Sequence, residues 1–340
     1  MEQSKLEGKV SDLFERQGFE LERIENGFKA LKEEEELTLK VFSLENFSER
    51  EVREKVSSGE KIFLDSEPGF ELENDVSVIR EEEDEPEYDT PSYEVIGDIA
   101  VISDLAGVER DEAVEGIRHH QNVKTILLKE GGLDGEFRVG EYEKLYGEET
   151  ETEHVEFGCR YRVDPTKMYF SERFSTERKR VVDQIEEGEQ VLVMFAGVGP
   201  FAVLAANKSA PSKVVSIEKN PEAAKMMKEN IKLNGVEDIV EGVEGDVREE
   251  LKDRGEFDRI VMPLPGSADE FLELAFEHSG DNAVIHYYRF VEDEDLDPVM
   301  DEIRQAAEET SRRIKSVDTV VTGERGPGIE RVCFDIQLED

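Results

Sequence analysis

The fold of this chain turns on Gln190-Val191-Leu192-Val193-Met194-Phe195-Ala196-Gly197-Val198-Gly199-Pro200-Phe201. A short apolar run ends in a glycine turn, and apolar residues resume through Ala202, Val203, Leu204, Ala205 and Ala206. That pattern is a buried strand, a tight turn and the start of a helix. Gly197 and Gly199 let the backbone pass close to a ligand, and the helix N-terminus supplies unpaired N–H groups. Beyond the helix, a second strand over 213–217 ends in Glu218, followed by Lys219-Asn220-Pro221. An acid there is placed to accept hydrogen bonds from ribose hydroxyls.

The glycines read Gly-x-Gly-Pro, not Gly-x-Gly-x-x-Gly. Pro200 removes an N–H from the turn that would cradle a pyrophosphate, which makes a dinucleotide-dependent oxidoreductase the weakest candidate. A nucleoside cofactor without phosphate fits better, and S-adenosylmethionine is the obvious one. A bare strand–turn–helix with no ligand is the alternative. Glu218, and Asp246 after a third strand in Glu244-Gly245-Asp246-Val247-Arg248, weigh against it.

Several stretches carry a family resemblance. They are Lys167-Met168-Tyr169-Phe170-Ser171-Glu172-Arg173-Phe174-Ser175-Thr176-Glu177-Arg178, Met194 to Phe201, Asn220-Pro221-Glu222-Ala223, and Glu229-Asn230-Ile231-Lys232-Leu233-Asn234. Met262-Pro263-Leu264-Pro265-Gly266-Ser267-Ala268 and Ile285-His286-Tyr287-Tyr288 continue the match. Together they closely resemble the archaeal and eukaryotic tRNA (guanine-37-N1)-methyltransferases and their relatives in wybutosine synthesis. The resemblance runs from about residue 92 to the C-terminus and is poor before that. It implies a class I, Rossmann-like α/β methyltransferase domain with a mostly parallel sheet; the residue pattern places two small α+β modules before it. It also implies S-adenosyl-L-methionine as cofactor and the tRNA anticodon loop, with G37, as partner.

The resemblance assigns roles to particular residues. Glu177 takes the part of general base: guanine N1 is too weakly acidic to attack a methyl group unless a carboxylate removes its proton, which burial would help by raising the carboxyl pKa. On the residues alone, a helix-opening acid favoured by the macrodipole is the alternative for Glu177. Arg138 corresponds to an arginine that stabilises charge on guanine as the proton leaves, a task suited to a permanently charged fork that meets O6 and N7 edges. Without the resemblance it is a surface arginine beside Glu136 or Glu141. Arg173 and Tyr169 belong to the same local site. Tyr169, Phe195, Gly197, Gly199, Glu218, Asn220 and Asp246 are the expected cofactor contacts, Asp246 toward the adenine amino group. Asn220 also reads as the cap of a helix that opens with Pro221.

One departure stands out. The family usually has Asn-Leu-Pro after the fourth strand, where this chain has Pro263-Leu264-Pro265. Asparagine offers a donor and an acceptor to a base edge, whereas proline offers a carbonyl and a rigid turn. The base is then held by backbone around Pro265 and by Arg138, or the target differs. An aminocarboxypropyl transferase or a methylase of a wybutosine intermediate stays open as an alternative. So does a non-catalytic RNA-binding protein that keeps the cofactor fold.

Composition bounds the rest. In 340 residues, 85 acids face 42 bases, a net charge of −43. Such acidity argues against general phosphate attraction and suits a cytosol of molar salt, where screening shrinks to about 3 Å and self-repulsion costs little. An RNA partner would be held by shape, splayed bases and a few arginines. No stretch approaches the ~20 apolar residues of a membrane span, and Met1 to Val10 lacks an apolar signal segment. A cytoplasmic, halophilic, monomeric enzyme is expected. Cys159 and Cys333 give no metal spacing, and no metal is expected.

In order, residues 1–80 form a small α+β module, with helices over 5–17 and 49–58 and strands over 19–24, 28–31, 37–42 and 61–64. Glu33 to Glu36 reads as a solvated turn. Residues 81–91 are an acidic, proline-containing linker, and 92–150 a second α+β module. The methyltransferase domain occupies 151–340, entered by a strand over 157–163. Strands over 257–262 and 282–288 come later, closed by an antiparallel pair near 319–322 and 331–338. His119-His120 reads as surface and His286 as core.

Overall fold

The computed structural model describes residues 20–24, 27–32, 35–43, 76–80 and 88–340, apart from 121–122, 135–136, 138, 293–294 and 327. The chain divides into two compact units, Met1–Glu87 and Tyr88–Asp340. In the first, β1 (Glu20–Ile24), β2 (Gly27–Lys32), β3 (Glu35–Ser43) and β4 (Val76–Arg80) make an antiparallel sheet in that order. The first three cover the strands expected over 19–24, 28–31 and 37–42, with Glu35 and Glu36 of the expected turn starting β3, and β4 is an addition to the expected strands. The expected helices over 5–17 and 49–58, the strand over 61–64 and Glu33-Glu34 lie outside the described residues.

The second unit opens with β5 (Tyr93–Ile96), β6 (Ile99–Ile102), α1 (Arg110–His120), β7 (Thr125–Asp134) and β8 (Val139–Tyr146). Their sheet runs β5-β6-β7-β8, with α1 carrying the chain across the parallel β6–β7 pair. Both faces of this sheet are apolar. Ala100, Ile102, Ile126 and Leu128 pack with Ala113 and Ile117 of α1. Ile99, Val101 and Leu127 point the other way, into the larger core that holds Val163, Met168 and Phe170. The 92–150 segment therefore shares a core with the 151–340 segment.

A hairpin of β9 (Thr152–Glu156) and β10 (Cys159–Val163) comes next. The single strand expected over 157–163 is corrected here. Phe157 and Gly158 are its two-residue turn, both at positive φ (49° and 79°), the conformation that matches strand twist in tight hairpins. A 3-10 turn over Glu172–Phe174 leads into α2 (Ser175–Val182).

The central sheet is built from β11 (Gln190–Met194), β12 (Lys213–Glu218), β13 (Val240–Glu244), β14 (Phe257–Met262), β15 (Ser279–Glu292), β16 (Ile314–Gly326) and β17 (Ile329–Leu338). Its order is β13-β12-β11-β14-β15-β17-β16, parallel through β15, with β17 antiparallel to both neighbours. Helices α3 (Pro200–Lys208), α4 (Pro221–Leu233), α5 (Val247–Glu250), α6 (Leu272–Glu277) and α7 (Asp297–Glu309) complete the fold. The period-2 geometry of a strand explains the two cores. Val191 and Val193 join the residues of α3 and α4, while Leu192 and Met194 join those of α6 and α7. The strand order reverses at β11, so the glycine turn after β11 opens at the topological switch point, where open α/β sheets bind ligands.

Two asparagines stitch the hairpin onto this domain. Fully buried Asn230 accepts from Arg162 N (2.7 Å) and donates to the carbonyls of Arg162 (3.1 Å) and Val198 (3.0 Å). Asn234 pairs in the same way with Arg160 N (2.9 Å) and O (2.7 Å). Side-chain amides on α4 and at its C-cap thus satisfy the backbone of β10, where a lone edge would leave polar groups unmet.

Candidate active site

β11 delivers the chain to the turn with Val191 to Met194 buried. The backbone then takes an unusual course: Phe195 stands at φ +57°, Gly197 at +57° and Gly199 at +83°. A non-glycine residue in that region is held only where packing over-determines it. Here the Phe195 ring lies edge-on to Phe271, centroids 4.8 Å apart. At Gly199 a Cβ would come within 2.9 Å of Met227 Cγ, so both the dihedral and the space require glycine.

The N–H groups of this turn decide which cofactor fits. Ala196 N donates to Ile217 O (2.9 Å) and Gly199 N to Ala196 O (2.9 Å). Gly197 N donates to Glu218 Oε2 at 2.7 Å. Pro200, first in α3, has no N–H to give. Three N–H groups of the turn are thus committed inside the protein, and a fourth is missing, where a dinucleotide fold offers such donors to pyrophosphate. In their place the turn presents a carboxylate. Glu218 Oε1 also accepts from Asn220 N (2.7 Å), which fixes its orientation and leaves acceptor capacity for a ribose hydroxyl. Burial pushes the Glu218 carboxyl above its usual range, against the pull of the Asn220, Gly197 and Lys219 N–H groups. A nucleoside without phosphate fits this donor set.

Other expected cofactor residues ring the turn. Asn220 caps α4 by accepting from Glu222 N (3.0 Å), and its amide donates to Lys167 O (3.0 Å). Tyr169, half-exposed, brings its carbonyl to within 3.7 Å of where a Gly197 side chain would begin. Asp246 caps α5 through Arg248 N (2.9 Å) and pairs with Lys219 Nζ (2.8 Å). Burial opposes its ionisation, but Lys219 and the Arg248 N–H hold its carboxyl below the usual range. Glu218→Ala removes the anchored carboxylate and strands the N–H groups of Gly197 and Asn220. Calorimetry should show S-adenosylmethionine affinity reduced about 10²-fold, the size of two hydrogen bonds to a charged group. Unchanged affinity would take Glu218 out of the site.

The segment 169–180 leads from the turn to Glu177. Phe174 packs edge-on to Phe201 of α3 (5.8 Å) and to Tyr288 of β15 (5.3 Å). Arg173 is exposed, 4.0 Å from Glu94, whose carboxylate accepts from Ser171 Oγ (2.9 Å) and Glu172 N (2.7 Å). Glu177 is 6 % exposed. Burial is only part of its setting: both oxygens are engaged. Arg180 forks onto it (Nε–Oε2 2.6 Å, Nη2–Oε1 2.8 Å), and the Tyr288 hydroxyl donates to Oε1 at 2.6 Å. Arg180 also reaches Asp335 (Nη1–Oδ2 2.5 Å, Nη2–Oδ1 3.2 Å).

His286 is fully buried, as expected of a core residue, but it is wired into this row. Its Nδ1 lies 2.6 Å from Asp335 Oδ1, and its Nε2 lies 2.8 Å from Arg259 Nη1. A guanidinium can only donate, so Nε2 is the bare nitrogen and Nδ1–H donates to Asp335. Burial holds the imidazole below its usual pKa, against the pull of Asp335. Arg259 in turn forks onto Glu189 (2.7 and 2.9 Å). Ligand-type atoms of His286, Cys333 and Asp335 lie within 4.8 Å of one another, but the guanidiniums of Arg180 and Arg259 are already seated on them.

Pro265 is half-buried, and its carbonyl accepts from Phe290 N (3.3 Å). Arg138 lies outside the described residues; beside it, Phe137 is exposed and Val139 starts β8. Sequence reasoning missed Glu94, Arg180, Tyr288 and Asp335. A signal for the last was present, since Asp335 is one acid in the apolar run Val332-Cys333-Phe334-Asp335-Ile336.

Known proteins resemble this chain in sequence and fold. The model of the TRM5/TYW2 methyltransferase domain matches residues 152–315. The tRNA(Phe) (4-demethylwyosine(37)-C(7)) aminocarboxypropyltransferase of Methanocaldococcus jannaschii is 33% identical over 248 residues, 73% of this chain and 98% of that protein. This chain belongs to the TRM5/TYW2 methyltransferase family. The tRNA (guanine(37)-N(1))-methyltransferase Trm5b of Pyrococcus abyssi is 44% identical over 204 residues, 58% of this chain, and the match spans 60% of that relative's length. The crystal structure of that Trm5b superimposes with a TM-score of 0.70 at 31% identity, covering 89% of this chain and 99% of the other. M. jannaschii TYW2, solved in complex with AdoMet, gives 0.58 at 29% identity, covering 73% and 99%. TRM5/TYW2 methyltransferases depend on S-adenosylmethionine, in agreement with a turn built for a nucleoside without phosphate.

Proposed function

We propose that this chain transfers a methyl group from S-adenosylmethionine to N1 of guanosine 37 in the tRNA anticodon loop. The observation that carries the reading is a buried carboxylate, Glu177, on the segment that borders the nucleoside turn. Bound S-adenosylmethionine supplies an electrophilic methyl group on a sulfonium. Glu177 accepts the N1 proton as the base becomes nucleophilic. Arg138 offsets the negative charge that this leaves on the guanine. Tyr169 and Arg173 flank the base, and the half-buried Pro265 carbonyl lies on the loop that faces it. Glu218 and the turn orient the nucleoside, with Asn220 holding the Lys167–Tyr169 backbone against them.

Incubation of the full chain with labelled cofactor and unmodified tRNA transcripts in molar KCl tests the reading. Label should enter transcripts with G at position 37 and not those with A, and nucleoside mass spectrometry should give 1-methylguanosine. Unmodified transcripts that stay unlabelled, with cofactor labelled in its aminocarboxypropyl chain marking only a tRNA that carries 4-demethylwyosine at position 37, would instead support the second reading. That reading is favoured by Pro263 and by the near-complete overlap with the M. jannaschii aminocarboxypropyltransferase.

The protein acts as a cytoplasmic, halophilic monomer in this reading; among the described residues, no helix is long and apolar enough to cross a membrane. The net charge of −43 supports the halophilic part. The melting temperature should therefore rise as KCl increases toward molar levels, because screening relieves repulsion. Circular dichroism showing greatest stability in dilute buffer would count against it.

A further inference from the structure

Two buried acids, Glu177 on α2 and Asp335 on β17, share one guanidinium, that of Arg180. Strand register builds the arrangement. His286 stands opposite Asp335, and Tyr288 opposite Cys333, so all four project from one face of the sheet toward α2. The groups facing Glu177 are Arg180 on its own helix, Tyr288 and His286 on β15, Cys333 and Asp335 on β17, and Arg259 on β14 beyond them.

The charges can be counted. Arg259 is matched by Glu189, and His286 is neutral because Arg259 donates to its Nε2. Glu177, Arg180 and Asp335 remain: two anions and one cation. A buried charge row is a poor device for stability, since apolar side chains of the same shape do as well or better. One surplus negative charge is, however, the requirement of a proton acceptor. When Glu177 takes a proton, Arg180 and Asp335 are left as a neutral pair, and no buried charge is stranded. Without Asp335 the same proton would leave Arg180 as an unpaired cation beside a neutral acid.

We infer that Asp335 is a positioning residue for the base: it supplies the surplus charge that lets Glu177 accept the proton and takes over Arg180 as it does so. His286, donating through Nδ1, and the Cys333 thiol (3.2 Å) hold the Asp335 carboxylate in place. Burial alone would raise its carboxyl, but His286 and Arg180 hold it well below the usual range, so Asp335 stays ionised while Glu177 cycles. The inference rests on the reading of Glu177 as general base.

Single-turnover methyl transfer to a G37 transcript, followed against pH, tests it in Asp335→Asn and Arg180→Gln. Asp335→Asn makes the cluster hold a proton less tightly. Its plateau rate should fall ~10-fold while the acid limb of the profile moves to lower pH by about one unit, as for removal of a nearby charge. Arg180→Gln leaves two carboxylates without their cation, so its acid limb should move to higher pH. Cofactor and tRNA affinities should stay within about twofold for both, since neither side chain is assigned to a ligand. A merely structural role would lower the rates without moving the limbs apart. Limbs that stay put, or move together, overturn the inference, and Arg180→Gln, on a quarter-exposed side chain, keeps it testable if Asp335→Asn does not fold. Failure of the underlying reading looks different: Glu177→Gln would then react at the wild-type rate.

Discussion

Glu177→Gln lowers the single-turnover rate of methyl transfer to a G37 transcript by ~10²–10⁴-fold, the usual span for loss of a general base. Cofactor affinity changes little, because the carboxylate lies against Arg180 and Tyr288 and not against the Gly197–Gly199 turn. In the proposed reaction Arg138→Ala should cost a comparable factor, since the charge assigned to it exists only as the proton departs. The proposed mechanism gives both side chains one event, so the double variant should lose less than the product of the two single losses. With glutamate present the rate climbs with pH and then levels; with glutamine it stays low until solution base takes over. A Glu177→Gln enzyme with wild-type single-turnover rates would reduce Glu177 to a helix-opening acid.

The second large effect is on stability and lies one residue further on. Arg178 is 2 % exposed and forks onto Glu156 at 2.7 and 2.5 Å, while also donating to Ser171 O. Burial alone would raise the Glu156 carboxyl, yet His154 and Arg178 hold it below its usual range. Arg178→Met therefore strands an anion in the core. The expected loss is about 3–5 kcal/mol, a fall in melting temperature on the order of 10 °C. Differential scanning calorimetry in molar KCl reads it, and the loss should persist at higher salt because buried pairs are poorly screened. Adding Glu156→Leu should restore most of the loss, since an apolar pair of similar shape can replace a buried ion pair. If the double variant is no more stable than Arg178→Met, the cost comes from packing on Phe170 and Phe174, over whose rings the guanidinium lies.

Glu177 and Arg178 show how far the chain can be read without its structure. Both sit in Phe174-Ser175-Thr176-Glu177-Arg178, and nothing in that string separates a site acid from a structural arginine. On the helix, adjacent side chains diverge. Glu177 faces β15, and Arg178 faces the β9–β10 hairpin. That hairpin reads as one strand in the sequence, because Phe157 looks like a strand residue until its positive φ reveals a turn. The carboxyl expected to be tuned by burial alone shares the Arg180 guanidinium with Asp335, which lies 155 positions beyond that arginine in the chain.

Local features determined the rest. The β11 turn, with Gly197, Gly199 and Pro200, the cap at Asn220 and the acid at Glu218 come from short-range chemistry: φ signs, missing N–H groups and the end of a strand. Those are properties of a few consecutive residues, so sequence alone determined the doubly wound core and the class of cofactor it accepts. The charge balance around Glu177 depends on the register of β15 against β17 and on which face α2 turns toward them. Register is a contact between distant segments, fixed by the packing of the whole sheet. Only the tertiary structure could decide that Tyr288, His286, Cys333 and Asp335 share one face with Glu177.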